Sequence, residues 1–580
     1  MKKLLFYLKS YRKESILGPL FKLLEASFEL LVPLVVARII DVGIANQDRG
    51  MIVSHCLIMV ALGIVGLIST VTAQYFAAKA SVGFAKDIRH ALFQHIGELS
   101  YADIDRIGTS SMITRMTSDI NQVQSGMNLT LRLLLRSPFV VFGAMIMAFT
   151  VDAKSAMVFV VTIPVLSLVV FGIMLICLPL YQRVQKRLDG VTEATRENLN
   201  GVRVIRAFCK ESDEIRSFEN RNNALTETQN HVGRISALLN PLSYAMINIA
   251  IVVLVYIGAI RVDRGILTTG QVIALYNYMS QILIELIKLA NLIINITKAV
   301  ACGNRVQALL DEPCTMPAVQ SGFDMASDRT TDSSLPTVEF RDVSMQYQQS
   351  SAPSLSHVSF SAYPGETIGI IGGTGSGKTT LINLIPRFYD CTEGEVLVHG
   401  VPVEKWDTSA LREHIGVVPQ KAVLFKGTIR KNLLWGKPNA SDSEIAQSLR
   451  VAQASEVVAG KAGGLDAPVE QNGRNFSGGQ RQRLTIARAL LGNPEILILD
   501  DSSSALDYAT DAALRHAIRE LPSHPTVFLV SQRTNSLRYA DRILVLDDGE
   551  VCGIGTHDEL LEQCETYREI YESQFRKERA

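Results

Sequence analysis

TIGIIGGTGSGKTT (367–380) is the stretch that decides how this chain folds. An apolar, strand-like run leads into a glycine-rich turn, and GKTT then opens a helix, the order that a phosphate-binding loop requires. Glycines permit positive φ and close backbone approach, so successive N–H groups can surround phosphate oxygens at a helix N-terminus. The expected binding set is Gly372, Gly373, Thr374, Gly375, Ser376, Gly377, Lys378, Thr379 and Thr380. Lys378 is placed to neutralise the β- and γ-phosphates, and the Thr379 hydroxyl to hold Mg²⁺.

Downstream, EILILD (495–500) is an apolar strand that ends in an acid, Asp500, the position expected of a carboxylate that holds Mg²⁺. Between loop and acid stands FSGGQ (476–480). Further short apolar runs, EVLVHG, TVFLVS and RILVLD, alternate with helical stretches, the pattern of a largely buried α/β sheet over 337–580. Ahead of this domain, residues 311–336 are rich in Pro, Ser and Asp, lack periodicity, and read as a linker.

The first half of the chain has another character. Three stretches, 56–78, 155–182 and 235–260, contain no charged residue, and each is long enough to cross ~30 Å of hydrocarbon. Three more, 16–44, 133–151 and 272–297, are apolar but carry charges: Lys22, Glu25, Glu29, Arg136, Glu285 and Lys288. Six crossings are therefore expected within 1–310. Lys and Arg concentrate in the N-terminal tail and in the segments 79–132 and 183–234, so both termini and the second domain are expected on the cytoplasmic side of a cytoplasmic membrane. The tail MKKLLFYLKSYRKES lacks a cleavage site and reads as an amphipathic helix on the membrane surface.

With 580 residues, a mean hydropathy of +0.19, and 57 basic against 57 acidic residues, the composition points to a membrane protein and gives no reason to expect a nucleic-acid partner. The eight cysteines are scattered without metal-ligand spacing and read as reduced thiols. Lys22, Glu25 and Glu29 share one helical face, with Lys22 able to pair with Glu25. They fit either a solvated vestibule or a contact with a cationic substrate. Arg38 and Asp41, also one turn apart, fit an extracellular gate or a simple interfacial pair.

The order of P-loop, SGGQ and strand-acid resembles the ABC ATPases, in which two nucleotide-binding domains meet head to tail and the signature of one closes over ATP held by the other. The resemblance implies that Ser477, Gly478, Gly479 and Gln480 serve partner-bound ATP. By the same resemblance, Tyr347 stacks on adenine, Gln420 is the Q-loop glutamine that touches Mg²⁺, and 504–507 is the D-loop. RIGTSSMITRMTSDINQVQ (106–124) and ENLNGVRVIRAFCKESDE (197–214) look like the cytoplasmic coupling segments of type IV ABC exporters. The implied architecture is an all-α six-helix transmembrane domain followed by an α/β P-loop ABC-type nucleotide-binding domain.

Two residues depart from that family's pattern. Where its members place the glutamate that polarises the attacking water, this chain has Asp501, which withdraws the carboxylate by roughly one C–C bond; a misplacement of ~1 Å can cost ~10²-fold in rate. In FLVSQRTNS (528–536) the switch histidine is replaced by Gln532, which can hydrogen-bond to phosphate but cannot carry charge or exchange a proton. Gln471 stands where many relatives have Glu. Asp501 together with Gln532 and an intact FSGGQ, and the stretch YREIYESQF (567–575), resemble the degenerate-site subunit of bacterial heterodimeric multidrug exporters. The expected function is ATP-driven export of small amphipathic or drug-like molecules, with a second half-transporter bearing Glu and His as partner. A competent homodimeric exporter and a membrane-anchored signalling ATPase are the competing readings.

Overall fold

The computed structural model describes residues 1, 3–316, 335–348, 350–502 and 504–575, with only the backbone of Phe575. Most of the linker expected over 311–336 therefore lies outside the described residues. Two compact units emerge: Met1–Ile96 with Ser110–Glu312, and Gly97–Thr109 with Pro313–Ala580.

The first unit is helical. Among the described residues, five helical stretches are long and apolar enough to cross a membrane: Arg49–Glu98, Thr109–Val151, Ala153–Ala207, Glu211–Asp263 and Thr269–Leu310. They contain five of the six stretches expected from sequence. Their apolar side chains lie largely on the outside, as with Leu168, 75% exposed, and Val252, 67% exposed, which is the surface that lipid covers. At 1.5 Å per residue the longest, Ala153–Ala207, runs to about 80 Å, well past a bilayer's hydrocarbon core. The stretch expected at 16–44 is the helix Arg12–Arg38 with a π turn, Ile39–Ile44. It does not meet the same apolar criterion, because Lys22, Glu25 and Glu29 interrupt it.

Those charges find partners inside the unit. Lys22 pairs with Glu25, as the spacing implies. Glu29, by contrast, accepts from Arg136 at 2.6 Å, and Arg136 also meets Glu285 at 2.6 Å. Ser137 and Lys288 complete the shell of Glu285 at 3.0 and 2.9 Å. Asp41 is engaged otherwise than in a pair with Arg38: it accepts from the Thr268 hydroxyl at 2.5 Å and from the Gly270 N–H at 2.7 Å, capping the helix Thr269–Leu310. The N-terminal tail is a short 3₁₀ helix, Lys3–Tyr11, with Leu4 buried. Its Lys3 pairs with Asp311, and the Met1 amino group donates to Asn304.

The second unit is built on a six-stranded sheet. Its order across the sheet is Glu550–Gly555, Arg542–Asp547, Thr367–Gly372, Thr526–Val530, Ile496–Asp500 and Ile415–Val418. All neighbours are parallel except the first pair. The sequence explains why the middle strands are central: ILILD and TVFLV are buried at every position, as strands covered on both faces must be. Ile496, Ile498 and Phe528 face one core, shared with a four-stranded antiparallel sheet and Trp406. Leu497, Leu499 and Leu529 face the other, shared with the helices Gly478–Leu491 and Tyr508–Arg519.

Gly97–Thr109 packs with this second unit. Ser100 and Asp103 form a reciprocal capping box that starts the helix Tyr101–Ile107, and Asp103 also accepts from the Thr315 N–H at 3.1 Å. The Tyr101 ring lies 4.8 Å from that of Phe388. Of the stretch 106–124, expected to carry a coupling helix, residues 106–109 belong to this second unit and 110–124 to the first.

Candidate functional site

Parallel strands bring their C-terminal ends to one edge, and the expected site residues follow directly from those ends. The registers that align Val530 with Asp500 and with Ile370, and Val418 with Leu499, set four loops side by side: 372–378, 500–501, 531–534 and 419–420. Residues far apart in sequence are thereby assembled without any long excursion of the chain.

In the first loop, Gly377 sits at φ +93° as the residue before the helix Lys378–Leu384, and a Cβ there would come 2.5 Å from the Ser354 carbonyl oxygen. Only glycine combines that dihedral with that approach. Lys378 is buried and donates to Gly372 O at 3.0 Å, Gly373 O at 2.5 Å and Ser376 Oγ at 3.2 Å. Burial pushes its ammonium pKa down, while Asp500 and Asp501 pull it back up. Thr379 Oγ1 lies 3.2 Å from Asp500 Oδ2 and 3.3 Å from Oδ1, so two of the three expected Mg²⁺ ligands already converge. A cation fits there on chemical grounds: burial holds the Asp500 carboxyl above its ordinary pKa, and the neighbouring charge of Asp501 adds to this.

Gln420 joins the same cluster. Its backbone hydrogen-bonds to Asp500 and its side chain to Asp501. Asp501 itself sits at φ +44°, with its N–H donating to Val530 O at 3.1 Å. Burial raises its pKa as well, against the opposing hydrogen bond from Gln420 and the charge of Arg533. Gln532 is exposed and Thr534 buried. Tyr347 is half-buried, its hydroxyl 3.1 Å from Thr380 Oγ1 and its ring edge-on to Tyr389 at 5.2 Å. Tyr389 in turn donates to Asp105 at 2.7 Å, so the aromatic expected to stack on adenine leads through one more ring to the docked segment.

The signature residues form a separate, outward-facing group. Ser477 caps the helix Gly478–Leu491 and Gln480 returns the bond, Ser477 N–H to Gln480 Oε1 at 3.0 Å. Ser477 and Gly478 are exposed, and an added Cβ on Gly478 meets nothing within 4 Å. A helix start with free N–H groups and an open glycine is a fitting surface for a phosphate presented from outside. Gln471 is exposed in the loop before it. Sequence reasoning missed Tyr389, Asp105 and Arg533, whose places in the cluster arise from spatial pairing and leave no motif.

Residues 15–286 match the family described as ABC transporter transmembrane region, and residues 355–504 match the family described as ABC transporter. The chain is 37% identical over 578 residues to the Bacillus subtilis protein described as uncharacterized ABC transporter ATP-binding protein YfiB, covering 100% of this chain and 99% of that protein. It is 35% identical to a Mycobacterium tuberculosis protein, Rv1273c, described in the same terms, covering 98% of this chain and 97% of that one. Among solved structures, a bacterial Atm1-family ABC exporter with ATP bound shares the fold, with a TM-score of 0.79 at 22% identity over 97% of this chain and 98% of the other.

Proposed function

We propose that this chain, which belongs to the ABC transporter family and joins one transmembrane region to one ATP-binding domain, works as half of an asymmetric exporter in which its own ATP site binds nucleotide but hydrolyses it poorly. The observation that carries the reading is the make-up of one cluster: Lys378, Thr379, Asp500 and Gln420 converge, while the two positions that should drive hydrolysis hold Asp501 and Gln532. Phosphates would lie along 372–380, adenine on Tyr347, and Mg²⁺ on Thr379, Asp500 and Gln420. The metal supplies charge neutralisation for the β- and γ-phosphates. Lys378 adds a second cation once it turns from the loop carbonyls to phosphate.

Asp501 stands where the water-polarising carboxylate should be and is about one C–C bond too short to reach as a good base. Gln532 offers a hydrogen bond in place of a charge. The intact SGGQ then serves ATP on a second half-transporter with Glu and His, and turnover runs mainly there. Six helices, the charged first among them, would place both termini and the ATP-binding domain at the cytoplasmic face, with small amphipathic or drug-like molecules as cargo.

The test is to purify the full-length chain alone and with candidate half-transporters, and to measure ATPase rate and retained nucleotide. Low turnover alone, restoration in the pair, and one ATP held through many turnovers are expected. Robust hydrolysis by a verified homodimer would sink the asymmetric reading in favour of a competent homodimeric exporter.

A further inference from the structure

Gln574, near the end of the C-terminal helix Glu565–Phe575, makes three hydrogen bonds to one short segment. Its Oε1 accepts from the Thr534 N–H at 3.0 Å and from the Thr534 hydroxyl at 2.9 Å. Its Nε2 donates to the Gln532 carbonyl oxygen at 2.7 Å. The segment so held is the loop between the buried strand Thr526–Val530 and the short helix Thr534–Leu537.

That helix needs outside help at its start. Its cap residue, Arg533, makes no side-chain hydrogen bond to the helix, so the first amide depends on a partner from elsewhere. Gln574 is that partner for the wholly buried Thr534. The C-terminal helix is itself fixed in the core: Tyr567 is 0% exposed, and its hydroxyl lies 2.7 Å from Nδ1 of the buried His557. Seven residues, about two helical turns, separate Tyr567 from Gln574, which puts both on the face that looks into the domain. A primary amide meets the whole requirement, its oxygen accepting both Thr534 donors while its nitrogen donates at Gln532.

We infer that Gln574 is a positioning residue of the ATP site: it holds the loop that presents Gln532, and through it the C-terminal helix sets how long the site keeps ATP as opposed to ADP. This rests on the reading that Gln532 meets the γ-phosphate. ADP lacks that phosphate, so a positioning role acts on ATP alone, whereas general loosening of the domain acts on both nucleotides.

The experiment uses the full-length chain in lipid nanodiscs and follows dissociation of labelled MgATP and MgADP from Gln574→Ala, Gln574→Glu and Gln532→Ala, with hydrogen exchange of the segment 531–537 recorded in parallel. Gln574→Ala should release MgATP about tenfold faster, the scale of one net hydrogen bond, and MgADP at an unchanged rate. Gln574→Glu, which keeps the acceptor and loses the donor, should fall between. Exchange in 531–537 should rise in the alanine variant. Equal acceleration of both nucleotides, or unchanged exchange, overturns the inference. If Gln532→Ala speeds ATP release and Gln574→Ala does not, the inference fails while the reading of Gln532 stands. If neither variant changes ATP release, the γ-phosphate reading fails and takes the inference with it.

Discussion

Gly479 lies against Ala505 of its own chain: a Cβ added to Gly479 would sit 2.9 Å from the Ala505 carbonyl oxygen, whereas the same addition at Gly478 meets nothing within 4 Å. The two signature glycines therefore fail in different ways. Gly478→Asp should leave the thermal unfolding of this chain unchanged and abolish ATPase activity in the paired transporter, since its carboxylate would occupy the open helix start. Gly479→Asp should lower the unfolding temperature as well. Ser477→Ala removes both a phosphate donor and a helix cap, so about 10²-fold in rate and about 1 kcal/mol in stability should go together. A Gly478→Asp pair that hydrolyses ATP normally would remove the signature from the mechanism.

Replacing Asp501 should have the opposite profile. Asp501→Asn in the pair is expected to change steady-state ATPase by less than about threefold, because a carboxylate withdrawn by about one C–C bond contributes little as a base. Combining Asp501→Glu with Gln532→His should raise hydrolysis at this chain's own site by about tenfold or more, read as loss of the retained ATP. An Asp501→Asn pair as inactive as Gly478→Asp would mean that the site is catalytically required.

The bond from Tyr389 to Asp105 joins the docked segment to the nucleotide-binding unit. Tyr389→Phe deletes one hydrogen bond and no ring contact, so about 1 kcal/mol of unit stability is the expected scale. ATP affinity and basal turnover should persist, with the substrate-stimulated part of the ATPase reduced. Unaltered stimulation in Tyr389→Phe would show that this bond does not carry the coupling.

In the helical unit, Arg136 and Glu285 are almost fully buried while Glu29 is 42% exposed. Arg136→Met strips a buried carboxylate of its main partner and should cost about 3–5 kcal/mol. Glu29→Gln should cost much less, because that side chain is only partly enclosed and Glu285 continues to neutralise Arg136. Thermal unfolding of the full chain in lipid ranks the two; equal losses would contradict the geometry.

Asp500 and Asp501 give a pH signature. Both carboxyls are held above the ordinary aspartate pKa of about 3.9, first by burial. Without nucleotide, the stability they contribute is present in acid and is lost as pH rises through their raised values. Bound Mg²⁺ needs Asp500 ionised, so stabilisation by MgATP should grow over the same interval above pH 4. Thermal shifts with and without MgATP at several pH values measure this, and a shift that stays flat for wild type but not for Asp500→Asn would reverse the assignment.

How much of this was legible in the sequence depended on the range of the interaction. The loop 372–380 and the strands 496–500 and 526–530 declare themselves because their constraints are local: a dihedral that only glycine adopts, or burial on both faces. The places of the apolar stretches in the membrane region follow from the same kind of reading, though the helices that carry them run well beyond those stretches. Partners do not. Lys22 and Glu25 are one turn apart and were found, but the match of Glu29 with Arg136, of Asp41 with Gly270, and of Gln574 with Thr534 joins different helices and loops, and periodicity gives a face without saying what it meets. Asp41 shows the consequence: a neighbour one turn away suggested a pair with Arg38, while a distant helix start offered two donors.

The segment Gly97–Thr109 gives the nucleotide-binding unit a boundary that no single cut can reproduce. An excised ATPase beginning at the linker would lack the helix that covers Phe388 and takes the Tyr389 hydroxyl bond. It would present two solvent-facing aromatic rings and an unoccupied phenol. Soluble fragments of this chain should accordingly self-associate, and a short peptide carrying residues 97–109, added in trans, should return them to monomers.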